Sequence, residues 1–217
     1  MSHRIENKIT TSLVNLLINS TDHNDSSINI MITGGRGATQ LYRQWHDSCV
    51  FKSVRKPVNL FLTDERCVES SNPESNQYII NQLFSADEIS NNVSFHGIFG
   101  KAKDLESEAC RYEKLLPDTI DFMLLSMGED GHICSLFPGS PLLFENNRKV
   151  KPVFGPKSPY CRLTITPKVI KSAKKIFVLA IGEDKKRKYE EALQNPGEIS
   201  SIPARLVLDG TWIFDFN

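Results

Sequence analysis

Residues 122–132 read FMLLSMGEDGH, a short apolar run that leads into an acidic turn punctuated by glycines. Three further apolar runs of similar length occur, at Ile28–Thr33 (INIMIT), Val58–Thr63 (VNLFLT) and Ile176–Ile181 (IFVLAI). Each run is nearly continuous in apolar character rather than alternating, which is typical of strands buried on both faces of a parallel sheet. We therefore predict four such strands.

Helical patterns accompany these runs, at Ala38–His46, Ser75–Phe84, Ala102–Leu116 and Asp184–Leu193. Strands that alternate with helices indicate right-handed β-α-β units. The predicted fold class is α/β, with a doubly wound, mostly parallel sheet flanked by helices. This Rossmann-like arrangement is predicted to form a single domain over residues 1–217, because no linker long enough to divide the chain is visible.

The segment between the third and fourth runs is less regular. Leu143–Pro159 is rich in proline, asparagine, lysine and glycine, and it is predicted to be a surface loop. Cys161–Thr166 alternates between polar and apolar residues, which predicts a short strand with Arg162 and Thr164 on one face.

Composition excludes several classes of protein. Of the 217 residues, 40% are hydrophobic and 24% are charged, which is ordinary for a globular chain. The 26 basic residues balance the 26 acidic ones, which argues against general nucleic-acid binding. No apolar run approaches the roughly eighteen residues of a membrane-spanning helix. We predict no nucleic-acid partner and no membrane association.

The cysteines indicate a reducing compartment. There are five, an odd number, and no CxxC pair occurs among them. A disulfide framework or a structural zinc site is therefore not expected. Because no secretory signal is visible either, the predicted localisation is cytoplasmic.

A glycine-rich or charged cluster follows each of the four apolar runs. These clusters are Gly34–Gly37 (GGRG), Asp64–Arg66 (DER), Gly128–His132 (GEDGH) and Gly182–Lys185 (GEDK). Ligands of open α/β sheets bind beyond the carboxyl ends of the strands, so the four clusters are expected to converge on one rim. Their repeated placement predicts an active site there.

His132 is the strongest candidate for the chemistry. Histidine is the side chain suited by default to proton transfer near neutral pH. Either Glu129 or Asp130, in the same acidic turn, could orient its ring. Because no HxxxH or HExxH spacing is present, we predict no metal site.

The other clusters suit an anionic ligand. The glycines of Gly34–Gly37 precede a helix and predict either a phosphate cradle or only a tight turn; their spacing matches neither GxGxxG nor a P-loop. Asp64–Arg66 is either a salt-bridged surface turn or a carboxylate that orients substrate beside an anion-binding arginine. Arg162 and Lys185 are either solvated charges or further anion ligands.

Five motifs that occur in order over most of the chain carry a family resemblance. The most specific is MGEDGH at Met127–His132, followed by SLFPG at Ser135–Gly139. The supporting motifs are Thr33-Gly34-Gly35 with Leu41-Tyr42, Asp64-Glu65-Arg66 with Ser75-Asn76, Arg162-Leu163-Thr164, and Gly182–Lys185. Together they resemble the 6-phosphogluconolactonase family. One departure is Arg36-Gly37-Ala38, where the family commonly has Ser-Thr-Pro, so that Arg36 either supplies a compensating charge or points to solvent.

The resemblance implies hydrolysis of 6-phospho-D-glucono-1,5-lactone to 6-phosphogluconate, in the oxidative pentose phosphate pathway, without a cofactor. In the implied site His132 transfers the proton, Asp64 or Asp130 orients groups, and either backbone N–H groups or a cation such as Arg66 donate to the oxyanion. The residues implied to hold the substrate and its phosphate are Gly34, Gly35, Arg36, Arg162 and Lys185. The expected partner is this small sugar-phosphate lactone, and the protein is expected to be a monomer or a weak homodimer.

Two alternatives remain open. Glucosamine-6-phosphate deaminase is similar in fold and also has a DGH element, but the SLFPG motif after His132 favours the lactonase. The second alternative is a non-catalytic sugar-phosphate sensor on the same scaffold. That function would be natural if His132 were absent or if a DNA-binding segment were attached, and neither is the case.

Overall fold

The computed structural model describes residues 3–19, 27–52, 54, 56–84, 92–194 and 197–214. Within these ranges the helices are α1 (His3–Asn19), α2 (Arg36–Asp47), α3 (Asn76–Leu83), α4 (Leu105–Leu115), α5 (Pro167–Ile170) and α6 (Glu183–Gln194). The strands are β1 (Ile28–Ile32), β2 (Val58–Leu62), β3 (Asp64–Arg66), β4 (Val93–His96), β5 (Phe122–Ser126), β6 (Val150–Phe154), β7 (Cys161–Ile165), β8 (Ile176–Leu179) and β9 (Thr211–Ile213).

Six of these strands form one parallel sheet in the order β4-β2-β1-β5-β8-β9. The four predicted strands are its central members, and the four predicted helices match α2, α3, α4 and α6 to within three residues at either end. The strand order runs outward in one direction from β1 and in the other from β5. The predicted doubly wound α/β fold is therefore confirmed, with a switch point between β1 and β5 where such sheets bind ligands.

The core covers both faces of this sheet. Successive residues of a strand point to opposite faces, and in β5 Met123, Leu124 and Leu125 are all completely buried. The same holds for Met31 and Ile32 of β1. Burial on both faces is the physical reason that these segments are continuously apolar in the sequence.

A second, antiparallel sheet of three strands, in the order β3-β7-β6, corrects two of the predictions. The segment 143–159, predicted to be a surface loop, contains β6, which pairs with β7 from Val150↔Ile165 to Phe154↔Cys161. Its Pro152 suggested a loop, but proline is tolerated in a strand at the edge of a sheet. The tripeptide Asp64–Arg66, considered as a turn, is itself strand β3.

Helix α1 was not predicted, although it contributes to the core. Ile9, Leu13 and Leu17 recur every four residues and are buried, which is the spacing of one helix face. Thr10 on the same helix accepts a 3.1 Å hydrogen bond from the indole N–H of Trp45 in α2. Across the described ranges, none of the helices combines the length and apolar character needed to cross a bilayer.

Candidate active site

A cavity of about 740 Å³ opens where β1 and β5 end. Its lining includes eight of the nine site residues that the sequence predicts: Gly34, Gly35, Asp64, Arg66, Asp130, His132, Arg162 and Lys185. The side chain of the ninth, Arg36, lies outside the described residues. The fold thus gathers segments far apart in the chain around one space large enough for a small ligand.

The loop after β5 holds His132 in a tight turn. The N–H of Gly128 donates to the carbonyl of His132 at 2.9 Å, and Gly131 adopts a φ of 83°, which favours glycine. Nδ1 of His132 lies 2.5 Å from Oδ1 of Asp130, so Asp130 rather than Glu129 orients the ring. Half-burial raises the pKa of Asp130, but its hydrogen bonds with His132 outweigh that effect and leave the pKa below its ordinary value.

Gly128 makes room for this imidazole. A Cβ atom added at Gly128 would lie 2.1 Å from Cε1 and 2.2 Å from Nδ1 of His132. Any larger residue would therefore displace the ring from its place beside Asp130. The position of the His132 ring therefore requires a glycine at residue 128, the first position of the GEDGH motif.

Asp64 is buried and bound on both carboxylate oxygens. Its Oδ2 accepts a 2.6 Å hydrogen bond from the hydroxyl of Ser135, and its Oδ1 accepts from Asn76 and Thr63, both at 3.2 Å. The backbone N–H of Ser135 in turn donates to Oγ1 of Thr164 at 3.1 Å. Asp64 therefore fastens the segment that follows His132 to the second sheet, which is an orienting role.

Glu65 faces away from the cavity because residues alternate along β3. Its carboxylate accepts hydrogen bonds from the N–H groups of Asn76 and Gln77, both at 2.7 Å, and from the hydroxyl of Ser75 at 3.0 Å. The two N–H groups are first-turn donors of α3, which no helix carbonyl can satisfy, and Ser75 is the N-cap residue of that helix. Burial raises the pKa of Glu65, and these hydrogen bonds oppose the shift. Of the two acids in the DER motif, one serves the cavity and the other caps a helix.

Arg66 and Arg162 lie opposite each other on β3 and β7 and both line the cavity. The Arg66 guanidinium donates to the carbonyl of Glu74, while its Nε is buried without a partner. Burial lowers the pKa of Arg162, the charge of Asp64 opposes this shift, and the charge of Arg66 adds to it. Two facing guanidinium groups form a cationic wall that suits an anionic ligand.

The glycine loop after β1 presents backbone to the cavity. Gly35 has a φ of 99° and precedes α2, whose first N–H groups receive no side-chain cap. Asn76 packs so closely on Gly34 that a Cβ there would lie 1.8 Å from the amide oxygen. The hydroxyl of Tyr42 holds the end of β1 through a 2.6 Å hydrogen bond to the carbonyl of Thr33. Backbone that lines a cavity at a helix N-terminus is a suitable anion cradle.

Lys185 lies on the opposite side of the switch point, in the first turn of α6. Gly182, with a φ of 106°, turns the chain from β8 into that helix. A cation in the first turn is disfavoured by the helix dipole, so helix stability does not explain this lysine. Its place in the cavity lining supports an interaction with an anion.

Comparison with known proteins identifies the family. The family described as "Glucosamine-6-phosphate isomerases/6-phosphogluconolactonase" matches residues 3–214. The chain belongs to this family. A protein named 6-phosphogluconolactonase from Borreliella burgdorferi is 33% identical to this chain over 157 residues, which cover 69% of this chain and 67% of that protein.

Solved structures of the glucosamine-6-phosphate isomerase/6-phosphogluconolactonase family have the same fold. A 6-phosphogluconolactonase from Shewanella baltica has a TM-score of 0.83 at 23% identity, covering 99% of this chain and 93% of that one. A monomeric glucosamine-6-phosphate deaminase has a TM-score of 0.78 at 19% identity, covering 99% and 94%. Because both kinds of enzyme share the fold, the residues of the site must decide between them.

Phe137 and Lys157 are among the cavity-lining residues that the sequence analysis did not predict as site residues. Phe137, noted only as part of a motif, lies between His132 and Arg162. Its ring centroid is 4.8 Å from that of the His132 ring and 5.5 Å from the guanidinium carbon of Arg162. Lys157 belongs to the segment that was predicted to be a plain surface loop. The first could have been suspected from its motif, whereas the second had no local signal.

Two cysteines lie at or next to residues of the site, Cys134 in the cavity lining and Cys67 directly after Arg66. Burial raises the pKa of the Cys134 thiol well above its ordinary value, and also raises that of Cys67, to about 12. Both thiols therefore stay protonated and are poor nucleophiles. Among the described residues, no group of three or more histidine, cysteine, aspartate or glutamate side chains is placed to hold a metal ion.

Proposed function

We propose that this protein is a 6-phosphogluconolactonase, which hydrolyses 6-phospho-D-glucono-1,5-lactone to 6-phosphogluconate in the oxidative pentose phosphate pathway. The observation that carries the proposal is the pairing of His132 with Asp130 inside a cavity that three predicted cations also line. The family match and the lactonase relative support the same activity.

The proton transfer is assigned to His132. Its Nδ1–H donates to Asp130, so the neutral ring offers Nε2 as the base. Nε2 takes a proton from water as the water oxygen attacks the lactone carbonyl carbon. When the bond from that carbon to the ring oxygen breaks, the same proton passes from His132 to the departing oxygen. The product is an open-chain acid, and no cofactor takes part.

Charge develops on the carbonyl oxygen during this attack, and fixed donors must stabilise it. Arg66 lines the cavity, and its terminal guanidinium nitrogen Nη1 donates to the carbonyl of Glu74, which holds the guanidinium in place as a preorganised donor for this oxyanion. Asp64 holds the loop of His132 through Ser135, so its part in the reaction is to position the base.

The substrate phosphate is assigned to Arg162, Lys185 and the glycine loop. These groups come from the second sheet, from α6 and from the start of α2, and they meet only in the cavity. The N–H groups of Gly34 and Gly35 and the first turn of α2 add backbone donors. Arg36 is assigned to the same phosphate-binding group of residues. Binding energy from the phosphate positions the reacting carbonyl beside His132.

An assay with freshly prepared lactone tests the function. We expect opening of 6-phospho-D-glucono-1,5-lactone well above its spontaneous rate, and no release of ammonia from glucosamine 6-phosphate. Ammonia release without lactone hydrolysis would identify a deaminase instead. Binding of sugar phosphates without turnover of either substrate would identify a sensor.

We also propose that the enzyme acts in the cytoplasm as a monomer or a weak homodimer. All five cysteines are free thiols, which fits a reducing compartment. Cell fractionation and sedimentation of the purified protein over a range of concentrations test these two statements.

A further inference from the structure

The loop that joins β6 to β7, residues 155–160, lies at the rim of the cavity and contributes Pro156 and Lys157 to its lining. The loop is closed at its base by a 2.6 Å hydrogen bond from the N–H of Gly155 to the carbonyl of Tyr160. Lys157 stands near its middle and is exposed. An exposed lysine is usually a solvated charge, so its surroundings decide whether it does more.

Both ends of this loop are anchored to residues of the cavity wall. At its start, Gly155 lies against Phe137, since a Cβ there would be 2.8 Å from the ring. Near its end, Nε of Arg162 donates to the carbonyl of Pro159 at 3.1 Å, and a second guanidinium nitrogen reaches the carbonyl of Lys157 at 3.5 Å. The main chain beside Lys157 is therefore held at the rim by Arg162.

These bonds change what Arg162 can do for a ligand. Arginine has five N–H donors, and here Nε and one terminal nitrogen already serve the loop. A phosphate monoester carries a charge of about −1.5 to −2 at neutral pH, which calls for more than one cation. Arg162 alone cannot offer this group its full fork of donors.

Lys157, whose main chain Arg162 holds, is a candidate for a further cation beside Arg162 and Lys185. Its ammonium group makes no hydrogen bond or ion pair with any residue in the ranges that the structure describes. Two of the carboxylates that line the cavity are already engaged, Asp64 by Ser135 and Asp130 by His132. The main chain of Lys157 is thus anchored beside an anion-binding cavity, and its ammonium group is paired with no carboxylate of the described residues.

We infer that Lys157 binds the phosphate group of the substrate, and that Arg162 acts partly through it by holding the loop 155–160 at the rim. This inference rests on the proposed lactonase function. It makes Lys157 a specificity residue for phosphorylated substrates and gives Arg162 a positioning role in addition to its charge.

The first test compares Lys157→Ala with Lys186→Ala, which removes an equal charge from an exposed position outside the cavity lining. For Lys157→Ala we expect kcat/KM to fall about tenfold on the phosphorylated lactone, since hydrogen bonds to charged groups contribute that much, and to change little on plain gluconolactone. Lys186→Ala should match the wild type on both. A parallel loss on both lactones, or no more loss than in Lys186→Ala, would overturn the inference.

The second test separates this inference from the proposed function by titrating inorganic phosphate into the wild type and both variants. The dissociation constant should rise about tenfold in Lys157→Ala and stay unchanged in Lys186→Ala. This binding does not depend on turnover of any lactone. An unchanged constant in Lys157→Ala would refute the contact even if the wild type is a lactonase, whereas absence of lactone turnover in the wild type would refute only the function.

The third test examines the coupling to Arg162 with Arg162→Lys, which keeps the charge but loses the planar fork that bonds the loop. In that background Lys157→Ala should cost less than about threefold, because the loop is no longer held and the two effects are not additive. A full tenfold loss in both backgrounds would show that Arg162 and Lys157 act independently.

Discussion

The hydroxyl of Ser135 donates a 2.6 Å hydrogen bond to Oδ2 of Asp64, a residue 71 positions earlier in the chain. Ser135 follows His132 by three residues, and Asp64 begins a strand of the second sheet. This bond therefore joins the loop that carries the proposed base to a rigid element. Both partners are buried, so if this hydrogen bond were broken, water could not take the place of the lost partner without a cost in free energy.

Replacement of Ser135 by alanine should destabilise the protein and slow turnover. One oxygen of the buried Asp64 carboxylate would lose its donor, which costs about 1–3 kcal/mol in the free energy of unfolding. Urea denaturation measures this loss, and kcat should fall with it because the loop of His132 shifts. Ser200→Ala is the control, since that hydroxyl donates to the exposed Glu198, and it should change stability by less than about 0.5 kcal/mol. Equal effects in the two variants would contradict the structural tie.

His132→Asn should retain the fold and bind sugar phosphate while kcat falls at least about a hundredfold, the low end for general acid–base catalysis. The chain offers a matched control in His46, whose Nδ1 lies 3.0 Å from Asp47 on the surface of α2. His46→Asn removes the same kind of histidine–aspartate pair outside the cavity, and kcat should not change. Near-normal turnover in a folded His132→Asn protein would remove this residue from the mechanism.

Gly128→Ala should reproduce much of the His132→Asn defect without touching the histidine itself. The added methyl group would meet the imidazole at about 2 Å, so the ring must rotate away from Asp130. Because a side chain rather than the backbone gives way, we expect nearly native circular dichroism together with a strong loss of kcat. A variant with wild-type kcat would show that the base works from another rotamer.

Lys185→Ala should discriminate between the two lactones. Loss of a charge-assisted contact to phosphate corresponds to about 1.5–3 kcal/mol, so kcat/KM should fall tenfold or more on the phosphorylated lactone. Plain gluconolactone should be hydrolysed at nearly the wild-type kcat/KM. A loss of equal size on both lactones would indicate that Lys185 serves the chemistry or the fold.

Exhaustive chelation should leave the activity unchanged. The proposed mechanism uses His132 as the base and Arg66 for the developing charge, so no step calls for a metal ion. Turnover is measured before and after dialysis against a strong chelator, with each common divalent cation added back in turn. Loss of activity that one particular cation restores would contradict the mechanism.

The parallel sheet could be predicted because its signal is local. A strand covered on both faces must be apolar at successive positions, as Met123, Leu124 and Leu125 are, and that run is visible without knowing its neighbours. The clusters that follow the runs could be assigned to one rim for the same reason, since strand direction in a parallel sheet places every carboxyl end together. His132 and its two candidate acids lie within four residues of one another, so their proximity could also be predicted from the sequence.

In the second sheet, strand β7 was predicted from its alternation of polar and apolar residues, but β6 has no such local signal. Strand β6 contains Lys151 and Pro152 and is only partly buried, so its sequence looks like a loop. Its status as a strand depends on β7 lying beside it, and pairing between separate segments follows from the tertiary fold. The N-terminal helix was missed although Ile9, Leu13 and Leu17 have the spacing of one helix face, which is a local signal that the sequence does carry.

The sequence by itself determined the four central strands, the rim on which the site lies and the residues that could do chemistry there. Only the tertiary structure decided what each of them does: Asp64 fastens a loop while Glu65 caps α3, Asp130 holds the imidazole, and Arg162 anchors the loop of Lys157. The physical reason is that a segment buried in the core must carry apolar residues at positions close together in the sequence, which makes the segment recognisable by itself. The direction of a polar side chain, and the partner it meets, depend instead on segments that folding brings from far along the chain.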